Sequence, residues 1–561
     1  MLFSRRFLPY FITQCLGALN DNVFKNVLLL MVSYSQIEAL PIDVHLFVNL
    51  AAGLFILPFL LFSAHAGQIA DSVDKAILIR RLKAVEFLIM SAAVFAILSH
   101  SYLIMLLLLF LMGMQSAYFG PVKYSLLPRV LKENELVSGN AWVEMGTFLA
   151  ILIGTLSAGL IVASDNATYW AAGSVLILAM IGLLASWMIP SVPTPNRIKP
   201  QFSIISATVA SIRKVKKAKD IWLAILAISW FWFVGATYLT QIPNFARITL
   251  NADPTVVSLL LLLFSVGIGI GSFVCERLSF KQVELGVAPI GLMLLGGFGI
   301  DLYAALPVVV ASEPVFDVSA FITDARHYRL MFDLFMIGVG GGLFIVPLYT
   351  FIQARADESE CAQAIASNNI MNALFMVTSA IFAMLVLNAL QWNIEQLFLL
   401  LACGNVLVLL LLFVFWPELV VSAMSYVVRR VLNRVTVSNK AKLAPLLQDK
   451  AMPLIVELAP LDWRALLVIF GMFNRPVYFV TDPLKAAKRG LLAYIINKRQ
   501  WDGAAPSQSA PVLVCIAGAQ AQPSIANAKS LKCRVEQRQG SGFRGQIEVA
   551  FRYDIRYEKS L

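Results

Sequence analysis

Ionisable side chains stand in the middle of the first long hydrophobic run, at positions 11–31. A bilayer crossing takes about 20 residues for roughly 30 Å of hydrocarbon, and this run is long enough, yet Asp21 and Lys25 lie at its centre. Their spacing of four places both on one helix face, where they can partly neutralise each other. We favour a wall of a polar transport site that includes Asn22, with a structural ion pair that orients the helix as the alternative.

Further polar side chains occur in two later runs of the N-terminal half. Tyr124 offers a hydroxyl beside Lys123, and Glu144 follows Asn140 by four residues. These groups could complete a polar cavity with the first run. Lys123 could instead snorkel to the membrane surface, and Glu144 could pair there with Lys123 or Arg129.

The C-terminal half contributes uncharged polar candidates. Tyr238 and Gln241 lie in one hydrophobic run, and Asn368, Asn369 and Asn372 lie in another. They are suited to contact polar groups of a substrate. Asparagine also joins membrane helices through hydrogen bonds, and that role remains open for all three.

The elements that must position these residues are membrane helices. The 561 residues are 59% hydrophobic and 14% charged, with a mean hydropathy of +0.77, which excludes a soluble globular protein and indicates a polytopic membrane protein. Runs long enough to cross lie at 8–33, 45–66, 79–98, 101–127, 141–163, 168–189, 221–243, 256–278, 284–306, 330–353, 362–389 and 395–416.

The net charge of +11 reflects orientation signals between the runs. Basic residues cluster in alternate connections, which predicts that both termini and the central linker are cytoplasmic. These clusters are Arg5/Arg6, Lys75/Arg80/Arg81/Lys83, Lys123/Arg129/Lys132, the central linker, Arg277/Lys281, Arg355 and Arg429/Arg430/Arg434. We expect no nucleic-acid partner. The six scattered cysteines lack metal-ligand spacing, and we expect no metal or cofactor.

A long basic connection divides the runs into six plus six. We therefore predict an all-α membrane protein with twelve transmembrane helices in two six-helix bundles, which rock about a central site, plus a small cytoplasmic α/β tail. The predicted parts are a first bundle at 1–190, a linker at 191–220, a second bundle at 221–417 and a tail at 418–561. The glycine strings at 267–271 and 338–342 lie inside runs and predict close helix contacts.

The connection after the second run, GQIADSVDKAILIRR, resembles the signature loop of the major facilitator superfamily. The matching positions are Gly67, Asp71, Lys75, Arg80 and Arg81. Asp74 replaces the usual second glycine of that loop. The resemblance implies a gate on the cytoplasmic side in which Asp71 caps a helix N-terminus or pairs with an arginine, although a solvated loop that only sets topology is the alternative.

Four further stretches resemble the lysophospholipid transporter family of that superfamily. They are LNDNVF in the first run, FGPVKYSLLP at 119–128, LVSGNAWVEMGTFLAILIGTLSAG at 136–159, and the segment at 337–372. The resemblance implies a flippase that moves lysophosphatidylethanolamine from the outer to the inner leaflet of a Gram-negative inner membrane, for reacylation. In that case Asp21 serves the amine of the headgroup and Lys123 the phosphate. A carrier of another amphiphile or small molecule, such as a drug or siderophore, is the alternative.

The tail begins with a basic amphipathic stretch at 420–435, predicted to be one helix on the inner leaflet. The segment at 452–483 is similar to the first block of glycerophospholipid acyltransferases, in which a histidine deprotonates the acceptor hydroxyl and an aspartate orients it. Here Glu457 stands at the histidine position and Asp462 at the aspartate position. We expect a region without catalysis that binds lipid or docks a separate acyltransferase; a transporter-fused acyltransferase is the alternative.

Overall fold

A computed structural model describes residues 1–34, 44–193, 204–280, 282–306, 315–357 and 359–438, and several segments of the tail. The tail segments are 454–459, 467–468, 470, 477–480, 512–516, 529–538 and 545–553. The chain divides into two compact units. One comprises Met1–Val283 and Ala288–Leu409, and the other comprises Glu284–Val287 and Leu410–Leu561. The contact boundary near residue 410 precedes the predicted boundary at 417.

The described residues of the membrane region form fourteen α-helices. In chain order they are α1 (Leu8–Tyr34), α2 (Val44–Ser72), α3 (Lys75–Leu98), α4 (Tyr102–Val130), α5 (Leu136–Val162), α6 (Ala167–Trp187), α7 (Ile204–Lys217), α8 (Lys219–Asn244), α9 (Pro254–Leu278), α10 (Ala288–Ala304), α11 (Val318–Thr323), α12 (Tyr328–Arg355), α13 (Cys361–Met384) and α14 (Ile394–Phe415). Helix α7 lies in the predicted linker and α11 is a short connection. The other twelve match the twelve predicted runs, so the predicted fold class is confirmed.

Eleven helices in the described part of the chain are long and apolar enough to cross a membrane. The twelfth long helix is α3, whose charged residues include Lys83 and Glu86 in its interior. Charges inside a spanning helix are expensive, so α3 needs polar partners from its neighbours.

The glycine strings are contact faces between α9 and α12, as predicted. A Cβ atom at Gly271 would lie 2.1 Å from the Val339 carbonyl oxygen, and one at Gly338 would lie 2.3 Å from the Phe264 carbonyl oxygen. Only glycine permits backbones this close, and such small-residue faces hold membrane helices together.

The turn between α2 and α3 does not need the glycine that Asp74 replaces. Asp74 has a φ of −50°, and its side chain caps α3 by accepting hydrogen bonds from the amides of Ala76 at 2.8 Å and Ile77 at 3.1 Å. This turn, the start of α1 and helix α7 lie on one side of the helical unit, because successive long helices cross in alternate directions. We call that side the linker face and the opposite side the distal face.

Among its described residues, the second unit has helix α15 (Pro417–Tyr426), a π-helical turn at Val427–Leu432 and six strands. The strands are β1 (Asn433–Ser438), β2 (Leu454–Ala459), β3 (Val477–Val480), β4 (Val512–Ile516), β5 (Lys529–Arg538) and β6 (Gly545–Tyr553). They form one sheet in the order β1-β6-β5-β2-β4-β3, antiparallel between β5 and β6 and parallel elsewhere.

The predicted single helix at 420–435 is wrong at its end. Helical structure stops at Leu432, and β1 begins at Asn433, because the alternating valine and threonine residues that follow favour an extended chain. One residue of the predicted basic face is not available to a membrane surface, because the Arg429 guanidinium forms a buried ion pair with Glu284. Burial raises the pKa of Glu284, and the charge of Arg429 opposes that shift.

Candidate functional site

Asp21 lies near the middle of α1 and faces α4. The Ser116 hydroxyl donates to Asp21 Oδ2 at 2.7 Å, whereas Oδ1 is buried and has no hydrogen-bond partner among the described residues. The Lys25 ammonium donates to Oδ1 of Asn22 on the same helix at 3.2 Å, and it lies 5.8 Å from the centre of the Phe55 ring of α2. The described structure therefore has no direct ion pair between Asp21 and Lys25, which was the alternative to a transport site.

A buried ion pair continues the polar region from Asp21 into the N-terminal bundle. Lys83 Nζ lies 2.6 Å from Glu86 Oε2, and each side chain is only 1% exposed. Gln115, next to Ser116, donates to Glu86 Oε2 at 3.2 Å, and Asn20 donates to Oε1 at 3.4 Å. Sequence reasoning missed this group because it assigned Lys83 to a surface cluster. The signal was present, since Lys83 and Glu86 stand three apart inside a hydrophobic run.

A second polar group lies where α4 meets α5. The Tyr124 hydroxyl donates to Glu144 Oε1 at 2.6 Å, while Glu144 Oε2 is buried without a partner among the described residues. Lys123 is also buried, and its ammonium donates to the Thr147 hydroxyl at 2.9 Å. Lys123 thus neither snorkels to the surface nor forms a direct ion pair with Glu144.

The polar groups that the sequence assigned to a cavity lie at two levels along α4. Its residue Ser116 contacts Asp21 and its residue Tyr124 contacts Glu144, and eight residues of α-helix span about 12 Å. Asp21 is therefore closer to the distal face, and Glu144 is closer to the linker face. The ammonium of Lys123 lies between them, because Thr147 is about one turn farther along α5 from the linker face than Glu144.

Two tyrosine rings, one from each bundle, stack at the level of Glu144. The rings of Tyr124 and Tyr349 are 4.3 Å apart between centroids, with an angle of 2° between their planes. Asn368 donates to the Tyr349 hydroxyl at 3.3 Å, which places this predicted residue beside the stack. Tyr349 was not predicted, because a tyrosine in a hydrophobic run carries no signal of its partner.

The other two asparagines of α13 contact neighbouring helices. The Asn369 amide fills the space beside Gly120, where a Cβ atom would lie 2.3 Å from Asn369 Nδ2. The side chains of Asn372 and Ser229 are within hydrogen-bond distance, at 2.9 Å. These contacts fit the alternative in which asparagines join membrane helices.

Two predicted site residues lie elsewhere in the structure. Tyr238 packs inside the C-terminal bundle, with ring centroids 5.8 Å from Phe264 and 4.5 Å from Phe398, so it does not join the polar groups of α1, α4 and α5. Apolar packing of its ring outweighs the hydroxyl, which has no partner among the described residues. On the same helix, Gln241 has a buried Oε1 that also lacks a partner there.

Asn140 joins the two bundles near the linker face. Asn140 Nδ2 donates to Gln353 Oε1 at 2.6 Å, and Gln353 Nε2 donates back to Asn140 Oδ1 at 3.0 Å. The neighbouring Ser138 hydroxyl donates to Glu276 of α9. Asn140 is thus engaged in a contact between the bundles in this conformation, and its role in contacting substrate stays a prediction.

Asp71 and Gly67 hold α2 against the beginning of α13. The Asp71 carboxylate accepts hydrogen bonds from the amides of Ala362 and Gln363, both at 3.1 Å. This is the helix cap that the sequence suggested, placed across the two bundles. A Cβ atom at Gly67 would lie 2.7 Å from Ala366 Cβ, so the helices touch closely here.

The basic residues of the signature loop stay within the first bundle. Lys75 donates to the Ala70 carbonyl at 2.9 Å and to the Ser125 hydroxyl at 3.0 Å. Arg80 donates to the Ile189 carbonyl at 2.7 Å, just beyond the end of α6. Arg81 is exposed on α3.

Helix α7 adds two contacts to the start of α13. The hydroxyl oxygens of Ser211 and Ser367 are 2.7 Å apart, and Lys214 forms an ion pair with Glu360 at 2.6 Å. Burial raises the pKa of the nearby Asp357, with a further increase from Glu360. Together with the Asp71 and Asn140 contacts, these bonds close the linker face.

Of the two tail residues that stand at acyltransferase motif positions, only Glu457 lies in the described structure. Glu457 belongs to β2, and Asp462 lies outside the described residues. The described residues contain no group of three or more metal-ligating side chains of the His, Cys, Asp and Glu types.

Several bacterial proteins named lysophospholipid transporter LplT are similar to this chain. The protein from Klebsiella pneumoniae is 24% identical over 387 residues, which cover 66% of this chain and 85% of the relative. The Escherichia coli protein is 25% identical over 399 residues, which cover 69% and 90%. The Pectobacterium carotovorum protein is 27% identical over 326 residues, which cover 56% and 72%.

Solved structures with the same fold are transporters of other kinds. The human organic anion transporter MFSD10 has a TM-score of 0.58 at 12% identity and covers 73% of this chain and 99% of its own. The proton:xylose symporter XylE has a TM-score of 0.56 at 11% identity and covers 73% and 96%. Identity this low supports a shared fold only. A family profile described as Major Facilitator Superfamily matches residues 10–323, more than half of the chain, and the chain therefore belongs to the major facilitator superfamily.

Proposed function

We propose that this transporter is a flippase for lysophospholipids of the lysophosphatidylethanolamine type. The observation that carries the proposal is the pair of carboxylates Asp21 and Glu144, each with a buried oxygen that has no hydrogen-bond partner among the described residues, with Lys123 between them in the N-terminal bundle. Charged groups are rare at this depth and mark substrate paths. The relatives named lysophospholipid transporter support the same substrate class.

The chemistry of the site suits a zwitterionic headgroup. An ammonium needs a carboxylate acceptor, and Asp21 and Glu144 each present one oxygen without a partner in the described structure. A phosphate needs a cation, and Lys123 supplies one whose ammonium contacts two neutral groups, the Thr147 hydroxyl at 2.9 Å and the Tyr124 ring at 5.0 Å from its centroid. The acyl chain can stay against apolar helix surfaces or in the surrounding membrane lipid.

We propose a direction of transport from the charge of the connections together with the closed linker face. The linker face carries most of the basic loops, so we place it, with both termini, in the cytoplasm of a Gram-negative cell, across the inner membrane. A carrier closed at its cytoplasmic side is in the state that accepts substrate from the outer leaflet. Opening at the linker face then delivers the lipid to the inner leaflet, where a separate acyltransferase can reacylate it.

The tail takes no catalytic part in this proposal. A glutamate stands at position 457, where the acyltransferase block has its histidine base, and the missing base typically costs a factor of about 10² or more in rate. We propose that the region binds lipid or docks the acyltransferase that uses the product.

Proteoliposomes separate the candidate functions. Labelled lysophosphatidylethanolamine is placed in the outer leaflet, with and without an acyl donor, and both its leaflet position and its acylation are followed. The proposal predicts protein-dependent inward movement without acylation. Movement at the rate of empty liposomes would reject this substrate and favour a carrier of another molecule, and acyl transfer would show that the tail is catalytic.

A further inference from the structure

The two carboxylates of the site are held in the same way. Each has one oxygen that accepts a hydrogen bond from a hydroxyl of α4, Ser116 for Asp21 at 2.7 Å and Tyr124 for Glu144 at 2.6 Å. Each has a second oxygen that is buried and has no hydrogen-bond partner among the described residues. A buried carboxylate oxygen without a partner is costly, so each of these atoms is suited to receive a donor from a ligand.

One headgroup cannot bind both carboxylates with its single amine. The two levels are separated by about 12 Å along α4, far more than the two-carbon bridge that joins the amine and phosphate of phosphoethanolamine. Lys123 reaches the space between the levels, because its ammonium is bound to Thr147 rather than to either acid. A phosphate held at Lys123 could therefore keep its place while the amine changes partner.

We propose that Asp21 and Glu144 are two successive ammonium sites, and that the headgroup amine passes from Asp21 to Glu144 while its phosphate stays at Lys123. This inference rests on the proposed function and adds an order of events to it. Asp21 is nearer the distal face and binds the amine first. Glu144 receives it in the conformation from which the lipid leaves.

The tyrosine stack explains why the second site is used late. Tyr124 donates to Glu144 and its ring lies 4.3 Å from that of Tyr349, which belongs to the opposite bundle. The stack closes the path at this level for as long as the bundles meet. Parting of the bundles separates the rings and lets the ammonium reach Glu144 Oε2, the oxygen that has no hydrogen-bond partner among the described residues.

The test uses a protein locked at the linker face. Ser211→Cys with Ser367→Cys replaces two hydroxyls whose oxygens are 2.7 Å apart, so oxidation should link α7 to α13 in the closed state. Binding of tritiated lysophosphatidylethanolamine to the locked protein in nanodiscs reports the first site alone. Inward movement in proteoliposomes, measured on the unlocked protein, reports the whole sequence of steps.

Four variants give distinct expectations. Glu144→Gln should keep the locked-state Kd within about threefold of the parent and slow inward movement by about tenfold or more. Asp21→Asn and Lys123→Gln should each weaken locked-state binding by about tenfold or more, because they remove the first acceptor and the phosphate partner. Tyr238→Phe is the matched control, since it removes a buried hydroxyl without a described partner and should change neither quantity.

Two results would overturn the two-site order while leaving the proposed function intact. One is a loss of locked-state binding in Glu144→Gln as large as in Asp21→Asn, which would indicate a single site. The other is wild-type inward movement in a folded Glu144→Gln protein. A parent protein that neither binds nor moves the lipid would instead overturn the proposed function, and this is measured first.

Discussion

Replacement of Asp71 by asparagine should open the linker face. The Asp71 carboxylate accepts hydrogen bonds from two backbone amides of α13, Ala362 and Gln363, both at 3.1 Å, and from the Gln363 side chain at 3.3 Å. Asparagine keeps the shape but has one acceptor oxygen and no charge. One amide of the first turn then loses its partner, and the attraction between the carboxylate and the helix N-terminus is lost.

The size of the effect follows from these two losses. A buried amide without a partner costs about 1–3 kcal/mol, and the charge at a helix end contributes about 0.3–1 kcal/mol. A combined change of about 2 kcal/mol shifts the ratio of closed to open protein roughly thirtyfold toward the open state. The Asp71 contact joins the two bundles and is lost when the linker face opens. The full change of about 2 kcal/mol therefore affects the ratio of closed to open protein.

Spin labels on the two bundles measure this ratio directly. Ile77 of α3 and Arg277 of α9 are exposed near the linker face, and pulsed electron resonance between labels there gives the populations of short and long distances. Asp74→Asn is the matched control, because Asp74 caps α3 with the same chemistry inside one bundle. The reasoning is refuted if Asp71→Asn leaves the populations unchanged, or if Asp74→Asn shifts them equally.

Two further predictions concern helix contacts. Lys83→Met should lower the free energy of unfolding by about 3–5 kcal/mol, because it leaves the charge of the buried Glu86 carboxylate without its cation. Adding Glu86→Gln should recover most of that loss. If the losses of the two single variants simply add in the double variant, the two side chains are not a buried ion pair. Gly67→Ala should shift the spin-label populations toward the open state, because its Cβ would lie 2.7 Å from Ala366 Cβ, whereas Gly173→Ala, with open space around it, should not.

The fold could be predicted because membrane helices carry their signal locally. Each crossing needs about 20 apolar residues, and the twelve hydrophobic runs match the twelve long helices. Helix α3 is the exception, because the charged residues in its interior interrupt the hydrophobic run. The tail was harder, because β1 continues directly from a helical turn and hydrophobic periodicity does not fix where helix gives way to strand.

The site was harder to predict because partners come from distant parts of the chain. Asp21 was recognisable as a charge in a membrane helix, but its partner Ser116 was not. Asn140 carries no sign that it pairs with Gln353, 213 residues away. Spacing along one helix gives the face that a residue occupies, whereas the neighbouring helix decides whether that face meets a ligand or another side chain.

The most direct test of the account is the initial rate at which labelled lysophosphatidylethanolamine moves from the outer to the inner leaflet in liposomes that contain Asp21→Asn. The protein amount and thermal stability are matched to the parent. We expect the rate to fall by about tenfold or more, to near that of protein-free liposomes, because the carboxylate that first accepts the amine is gone. Inward movement at the parental rate would contradict a headgroup site at Asp21.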